Sequence, residues 1–177
     1  MPVYAITGTP GTGKTTLATE LRARGYAVID ISRYLRDHGL LGNLDEKRNT
    51  YEVDTEVMND SLEKYRHIDG IVFLDSHLAH QTDCSGIIVL RCNPSVLAKR
   101  LESRGYGKAK ITENVQAEIL DVILCEATDT DIPVWELDCT DILCNKAADI
   151  VENIINGKDD GYVPGGINWS EEFVKWF

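Results

Sequence analysis

The sequence predicts an α/β domain in which a parallel sheet is covered by helices on both faces. Three observations carry this. Five short apolar, β-rich runs are spread along the chain: VYAIT, YAVID, GIVFLD, GIIVLRC and PVWELD. Segments with helical spacing of apolar residues separate them. The runs are nearly continuous in apolar residues rather than alternating, as strands buried on both faces require. With 177 residues, 43% hydrophobic and 27% charged, the chain has the usage of one globular domain with a substantial core. It carries no apolar run near the ~20 residues of a membrane span.

Each element has a local reason. Val3 to Thr7 is the first strand, broken by GTPGTG; a helix then runs from Lys14 to Arg24, with Gly25 as a stop signal. Tyr26 to Asp30 is the second strand, and Ser32 is expected to cap a helix to about Asp37. The stretch from His38 to Thr50 is polar and turn-rich. Val53, Val57, Ser61 and Tyr65 recur at helical spacing, with Met58 and Leu62 widening the face, so Val53 to Tyr65 is a predicted helix. Gly70 to Asp75 and Gly86 to Cys92 are strands. Asn93 caps the helix that follows, with Pro94 at its first position. Thr112 opens a helix to about Ala127, and Pro133 to Asp138 is the last strand. Thr140 or Asp141 leads a long helix to Asn156. From Gly157 the composition changes to a Gly- and Asp-rich tail ending in Trp169, Phe173, Trp176 and Phe177, with Ser170 as cap of a short helix. This divides the chain into a domain over 1–156 and a tail over 157–177. The tail either docks on its own domain or serves as a hook for a partner.

The chemistry starts at GTPGTGKTT, residues 8 to 16. It fits G-x-x-x-x-G-K-[ST] at Gly8, Gly13, Lys14 and Thr15, and it lies between a strand and a helix. Glycines let successive N–H groups turn inward at phosphate oxygens, and the helix adds its positive end. Lys14 is expected to neutralise β- and γ-phosphates and Thr15 to ligate Mg²⁺. A second Mg²⁺-side group should end a neighbouring strand, which is where Asp75 stands. His77, two residues on, is a candidate for positioning water or contacting phosphate.

Two features choose among nucleotide-using functions. A Ras-like GTPase needs N-K-x-D after a strand; the nearest match, NKAAD at Asn145 to Asp149, has one residue too many and lies within a predicted helix. Arg100 and Arg104, four apart on one helical face before the basic turn GYGKAK, suit a hinged lid that surrounds a transferring phosphoryl group. A kinase is therefore expected, with the acceptor open. Arg33 and Arg36, just beyond the second strand, suit the phosphate of a nucleoside monophosphate. Asp30 could instead serve as general base for a hydroxyl acceptor.

Taken together, GTPGTGKTT, LDSH and VLRCNPSVLAKRLESRGYGKAKITENVQAEI resemble the small adenylate kinase family that includes the CINAP-like proteins, also called ribosome-biogenesis ATPases. The resemblance spans roughly residues 1 to 155. It implies a three-layer α/β/α P-loop kinase fold with a five-stranded parallel sheet, a helical acceptor-binding insertion at about 31–66 and a short lid at about 104–111. It implies transfer of phosphate from ATP to AMP, ATP hydrolysis, and binding to a small-subunit ribosomal protein during subunit maturation. Residue by residue, Gly11, Thr12, Gly13, Lys14, Thr15 and Thr16 match the ATP loop, and Asp75 and His77 match a D-x-H motif. Arg100, Arg104 and Tyr106 match the lid, and Asn114, Gln116 and Glu118 its following helix, with no chemistry assigned there. After the D-x-H this chain reads LAHQTDC, without an arginine.

Charge and cysteines bound the partners. A formal net charge of −11 argues against general nucleic-acid binding and suits a basic protein, with Trp169, Phe173 and Trp176 as candidate anchors. The five cysteines, Cys84, Cys92, Cys125, Cys139 and Cys144, form no CxxC pair and are expected to be reduced and mostly buried. MPVYAITG lacks a basic n-region and a cleavage site, so cytosolic residence is expected, nuclear in a nucleated cell.

Overall fold

Strands that are apolar on both faces must be sandwiched, and helices from the intervening segments do this. The computed structural model describes residues 2–45 and 50–177. β1 (Val3–Thr7) leads into α1 (Lys14–Ala23), β2 (Ala27–Asp30) and α2 (Ile31–Asp37). A short antiparallel ribbon, β3 (Leu44–Asp45) with β4 (Thr50–Tyr51), precedes α3 (Thr55–Leu62). There follow β5 (Val72–Asp75), β6 (Gly86–Arg91), α4 (Pro94–Ser103), α5 (Lys108–Ile119) and α6 (Val122–Thr128). β7 (Val134–Asp138), α7 (Cys144–Ile155) and the terminal α8 (Phe173–Trp176) complete the chain. The main sheet has five parallel strands in the order β2-β5-β1-β6-β7. Residues 46–49, part of the expected acceptor-side region, lie outside the described residues.

Alternation along the strands divides the core in two. Ala5, Leu74, Ile87 and Val89 point to one face and pack under α2, α3 and α6 through Leu35, Met58 and Leu124. Ile6, Phe73, Ile88 and Leu90 point to the other, under α1 and α7 through Leu17, Leu21 and Val151. A third cluster joins Leu97 and Leu101 of α4 to Val115 and Ile119 of α5, and Trp169 and Trp176 of the tail pack on it. The tail therefore folds back on its own domain. Glu136 N, on edge strand β7, donates to Tyr162 O at 2.8 Å, so the tail also covers a free strand edge.

Several boundaries differ from expectation, each for a visible reason. α2 is capped by Asp30, whose Oδ1 accepts from Arg33 N at 2.9 Å, and Ser32 lies inside the helix. α3 is shorter than Val53 to Tyr65: Asp54 caps it, and a tighter 3-10 turn at Glu63–His67 ends it. The helix expected from Thr112 to Ala127 begins at Lys108 and is two helices, broken where Asp121 takes a left-handed conformation (φ 54°). Its carboxylate there reaches Arg91. α7 starts at Cys144 because Thr140 is committed elsewhere: its hydroxyl pairs with Asp138 Oδ1 and accepts from Asn93 N. Ser170 does not cap; it opens a 3-10 turn at Ser170–Glu172 that leads into α8. Among the cysteines, Cys92 and Cys139 are buried, Cys84 and Cys144 half-buried and Cys125 exposed, all of them free thiols.

Candidate active site

The site is built where β1 ends. Gly8 (φ 140°) has no room for a Cβ, which would stand 2.4 Å from Leu90 O, and Gly13 (φ 114°) turns the chain into α1. Between them the loop closes on itself. Lys14 Nζ donates to Gly8 O at 2.6 Å and Thr9 O at 3.0 Å, and Thr12 Oγ1 donates to Thr9 O at 2.9 Å. Burial pushes the Lys14 ammonium down to about 8, against the opposing pull of Asp75 and Glu118. Incoming phosphate charge would restore it. Thr15 and Thr16 stand exposed in the first turn of α1.

Parallel register aligns the carboxyl ends of the neighbouring strands with this loop. Asp30 of β2 lies beside Asp75 of β5, and Asp75 beside Ile6 of β1. Asp75 is buried, and desolvation raises its carboxyl to about 6 against the pull of Lys14, with the Asp30 charge adding to the rise. Desolvation in the cleft, with the Lys14 charge beside it, holds His77 below its ordinary imidazole value, so it is neutral at pH 7. The turn that carries His77 is pinned from below. Thr7 Oγ1 lies 3.0 Å from His80 Nδ1 and 3.2 Å from His77 O, while His80 Nε2 pairs with Glu126 at 2.8 Å.

Thr15 and Asp75 line the same cleft. A hydroxyl and a carboxylate beside a phosphate site suit Mg²⁺, which takes few protein ligands and keeps its waters. Among the described residues, no group of three or more His, Cys, Asp and Glu side chains is placed to hold a metal.

The loop separates two spaces. A cleft of about 480 Å³ lies between Asp30, Asp75 and His77 on one wall and Arg104, Tyr106 and Asn114 on the other. A smaller pocket of about 240 Å³ lies on its far side, lined by Thr16, Arg100, Ile142 and Cys144. Gly11, Gly13 and Arg104 border both. Arg100 is spoken for: it donates to Thr140 O at 2.6 Å, Cys139 O at 3.1 Å and Gly11 O at 3.4 Å, and so ties the loop to the segment after β7. Arg104, in contrast, is exposed at the junction. Arg33 and Arg36 are not brought into the cleft. Arg33 pairs with Asp37 at 3.5 Å on the outer face of α2, and Arg36 is exposed there.

Glu118, matched by the resemblance without a role, lies at the centre of a buried network behind the loop. Thr9 Oγ1 donates to Glu118 Oε2 at 2.5 Å, Arg91 Nε donates to Glu118 Oε1 at 2.8 Å, and Arg91 also pairs with Asp121 and Glu136. Glu136 Oε2 in turn accepts from the backbone of Gly165 and Gly166 in the tail, at 2.9 and 3.1 Å. The available signal was Arg91 itself, a charge inside an otherwise apolar strand, which demands a buried partner.

Comparison with known proteins agrees with this geometry. Residues 5–121 match the family model described as "AAA domain". The chain is 41% identical over 173 residues to a protein of Archaeoglobus fulgidus named "Putative adenylate kinase", covering 96% of this chain and 93% of that one. A protein of the same name from Methanocaldococcus jannaschii is 40% identical over 174 residues, covering 97% and 95%. Among solved structures, shikimate kinase from Acinetobacter baumannii in complex with shikimate shares the fold, with a TM-score of 0.61 at 12% identity over 90% of this chain and 96% of that one. A P-loop bordered by two pockets, on a sheet shared with P-loop kinases and in a sequence aligned over nearly its whole length with these archaeal proteins, places the chain in a small P-loop nucleoside monophosphate kinase family.

Proposed function

We propose that this kinase transfers the γ-phosphoryl group of ATP to AMP, with hydrolysis of ATP as a slower side reaction. The observation that carries the reading is the pair of spaces meeting at Gly11, Gly13 and Arg104. The smaller pocket beside Ile142 and Cys144 is suited to the donor base, and the larger cleft to the acceptor. An acceptor phosphate already offers an anionic oxygen, so the site has only to position it and offset charge. In this reading the acceptor oxygen forms a bond to the γ-phosphorus as the bond to the β,γ-bridging oxygen breaks. Lys14 follows the charge on the β- and γ-phosphates, and Arg104 reaches the group in transit from the lid side. The Thr15 hydroxyl and the Asp75 carboxylate would hold Mg²⁺ with the nucleotide, where the ion offsets phosphate charge. A hydroxyl acceptor is less well served, because the carboxylate that would act as base, Asp30, gives one oxygen to the cap of α2.

The test is a set of initial rates with ATP plus each nucleoside monophosphate, beside ATP alone. ADP formation should rise at least tenfold on adding AMP. A rate that no monophosphate raises above ATP alone would reject the kinase reading in favour of a nucleotide-driven assembly factor. For that second function the net charge of −11 and the exposed, stacked Phe173 and Phe177 are the features that fit a basic ribosomal protein.

A further inference from the structure

Behind the phosphate loop, three carboxylates meet a single guanidinium. Arg91, Glu118 and Glu136 are 1%, 3% and 4% exposed, and none of them touches the cleft. Burying charge is costly unless every lone pair and proton finds a partner, and here the partners divide the cluster's work. Glu118 Oε1 faces inward, accepting from Arg91 Nε at 2.8 Å and Cys92 N at 3.0 Å. Glu118 Oε2 faces the loop and accepts from Thr9 Oγ1 at 2.5 Å. Thr9 is the hub of the loop: its carbonyl receives both Lys14 Nζ and Thr12 Oγ1. Its orientation therefore decides where the lysine and the loop amides point. Glu118 also sits on α5, the helix that continues from the lid segment, so it joins the lid side of the cleft to the loop from beneath.

We infer that Glu118 is a positioning residue for triphosphate binding: with Arg91 fixing its carboxylate, it holds Thr9, and through Thr9 the Lys14-bearing loop, in the shape that receives the β- and γ-phosphates. The inference rests on the loop being the ATP site and is independent of what the acceptor is. A carboxylate that merely anchored α5 to β6 would affect stability and leave nucleotide affinity alone.

The experiment is calorimetric titration of the full chain with the non-hydrolysable analogue β,γ-imido-ATP and Mg²⁺. Thr9→Ser keeps the hydroxyl and should bind within twofold of the unsubstituted chain. Thr9→Val keeps the shape and loses the hydroxyl; it should bind about tenfold more weakly. Glu118→Gln should weaken binding by a similar factor. The double variant should be at most twofold weaker than either single one, because both cut the same link. If Glu118→Gln does not fold, the Thr9→Ser and Thr9→Val pair decides alone. Unchanged affinity in Thr9→Val, or losses that multiply in the double variant, would overturn the positioning role. An unsubstituted chain that fails to bind the analogue would overturn the ATP-site reading beneath it. Absence of AMP-stimulated turnover touches neither result.

Discussion

At the scale of single residues, the site stores unfavourable charge in the nucleotide-free chain. Asp75 is the clearest case, with its carboxyl raised to about 6. A raised carboxyl makes the charged form costly in the folded chain. The cost is absent below about pH 4, grows as pH rises towards 6, and is constant above that. At roughly 1.4 kcal/mol per pH unit of displacement the ceiling is about 3 kcal/mol, reduced because Lys14 loses its partner when Asp75 is neutralised. Asp75→Asn should therefore stabilise the nucleotide-free chain by about 1–2 kcal/mol at pH 8, and by roughly half of that at pH 5. Urea unfolding at the two pH values checks it; a variant less stable at pH 8 would contradict the account. His77 is neutral and sits on a turn pinned by Thr7 and His80, so it can orient water by hydrogen bonding without carrying charge. His77→Ala should lower ATP hydrolysis about tenfold while AMP-dependent ADP formation, which needs no positioned water, falls less than threefold. Parallel rates of both reactions settle this, and equal losses would remove the water-positioning role.

At the scale of elements, what was legible in the sequence was whatever a local pattern dictates. The five strands, the Asn93–Pro94 start of α4 and the strand-loop-helix around Lys14 are local, and they stand where expected. Asp75 and His77 could be placed because a strand end is visible in sequence. What was hidden depends on partners distant along the chain. No propensity announces that Arg100 will bind the carbonyls of Cys139 and Thr140, or that Thr9 will meet Glu118, 109 residues away. The break between α5 and α6 shows why. VQAEILDVILCEA reads as continuous helix, yet Asp121 leaves helical geometry to bring its carboxylate to Arg91. A left-handed non-glycine residue costs about 1–2 kcal/mol, so the pairing must exceed that. Asp121→Ala, which keeps the strain and loses the carboxylate, should cost about 2–3 kcal/mol. Asp121→Gly, which loses both, should cost about 1 kcal/mol less. Thermal unfolding of the pair tests this, and equal costs would mean the break is set by packing alone.

At the scale of the whole molecule, the tail completes the domain. It runs along the edge of β7, where Trp135 Nε1 donates to Asp159 at 2.9 Å and Glu136 receives the amides of Gly165 and Gly166. It then crosses α4 and α5, where Ser95 Oγ donates to Glu172 at 2.6 Å and Gln116 Nε2 to Trp176 O at 2.6 Å. The aromatic cluster that reads as one unit in sequence is thus divided by the fold. Trp169 and Trp176 pack on Leu97, Leu101 and Val115, while Phe173 and Phe177 stack on each other in solvent. The division predicts unequal costs. Trp176→Ala opens the third cluster and should destabilise the chain by about 2–3 kcal/mol. Phe173→Ala, which removes a ring that is 45% exposed and stacks on the exposed Phe177 ring, should cost less, about 1 kcal/mol or below. Because α5 carries Glu118 and is supported by the tail, Trp176→Ala should also weaken ATP binding, and Phe173→Ala should not. Denaturant unfolding beside nucleotide titration of the two variants measures both effects. A Trp176→Ala variant that loses stability with unchanged nucleotide affinity would show that the loop is insulated from the tail, and comparable stability losses in the two variants would show that the aromatic cluster acts as a unit after all.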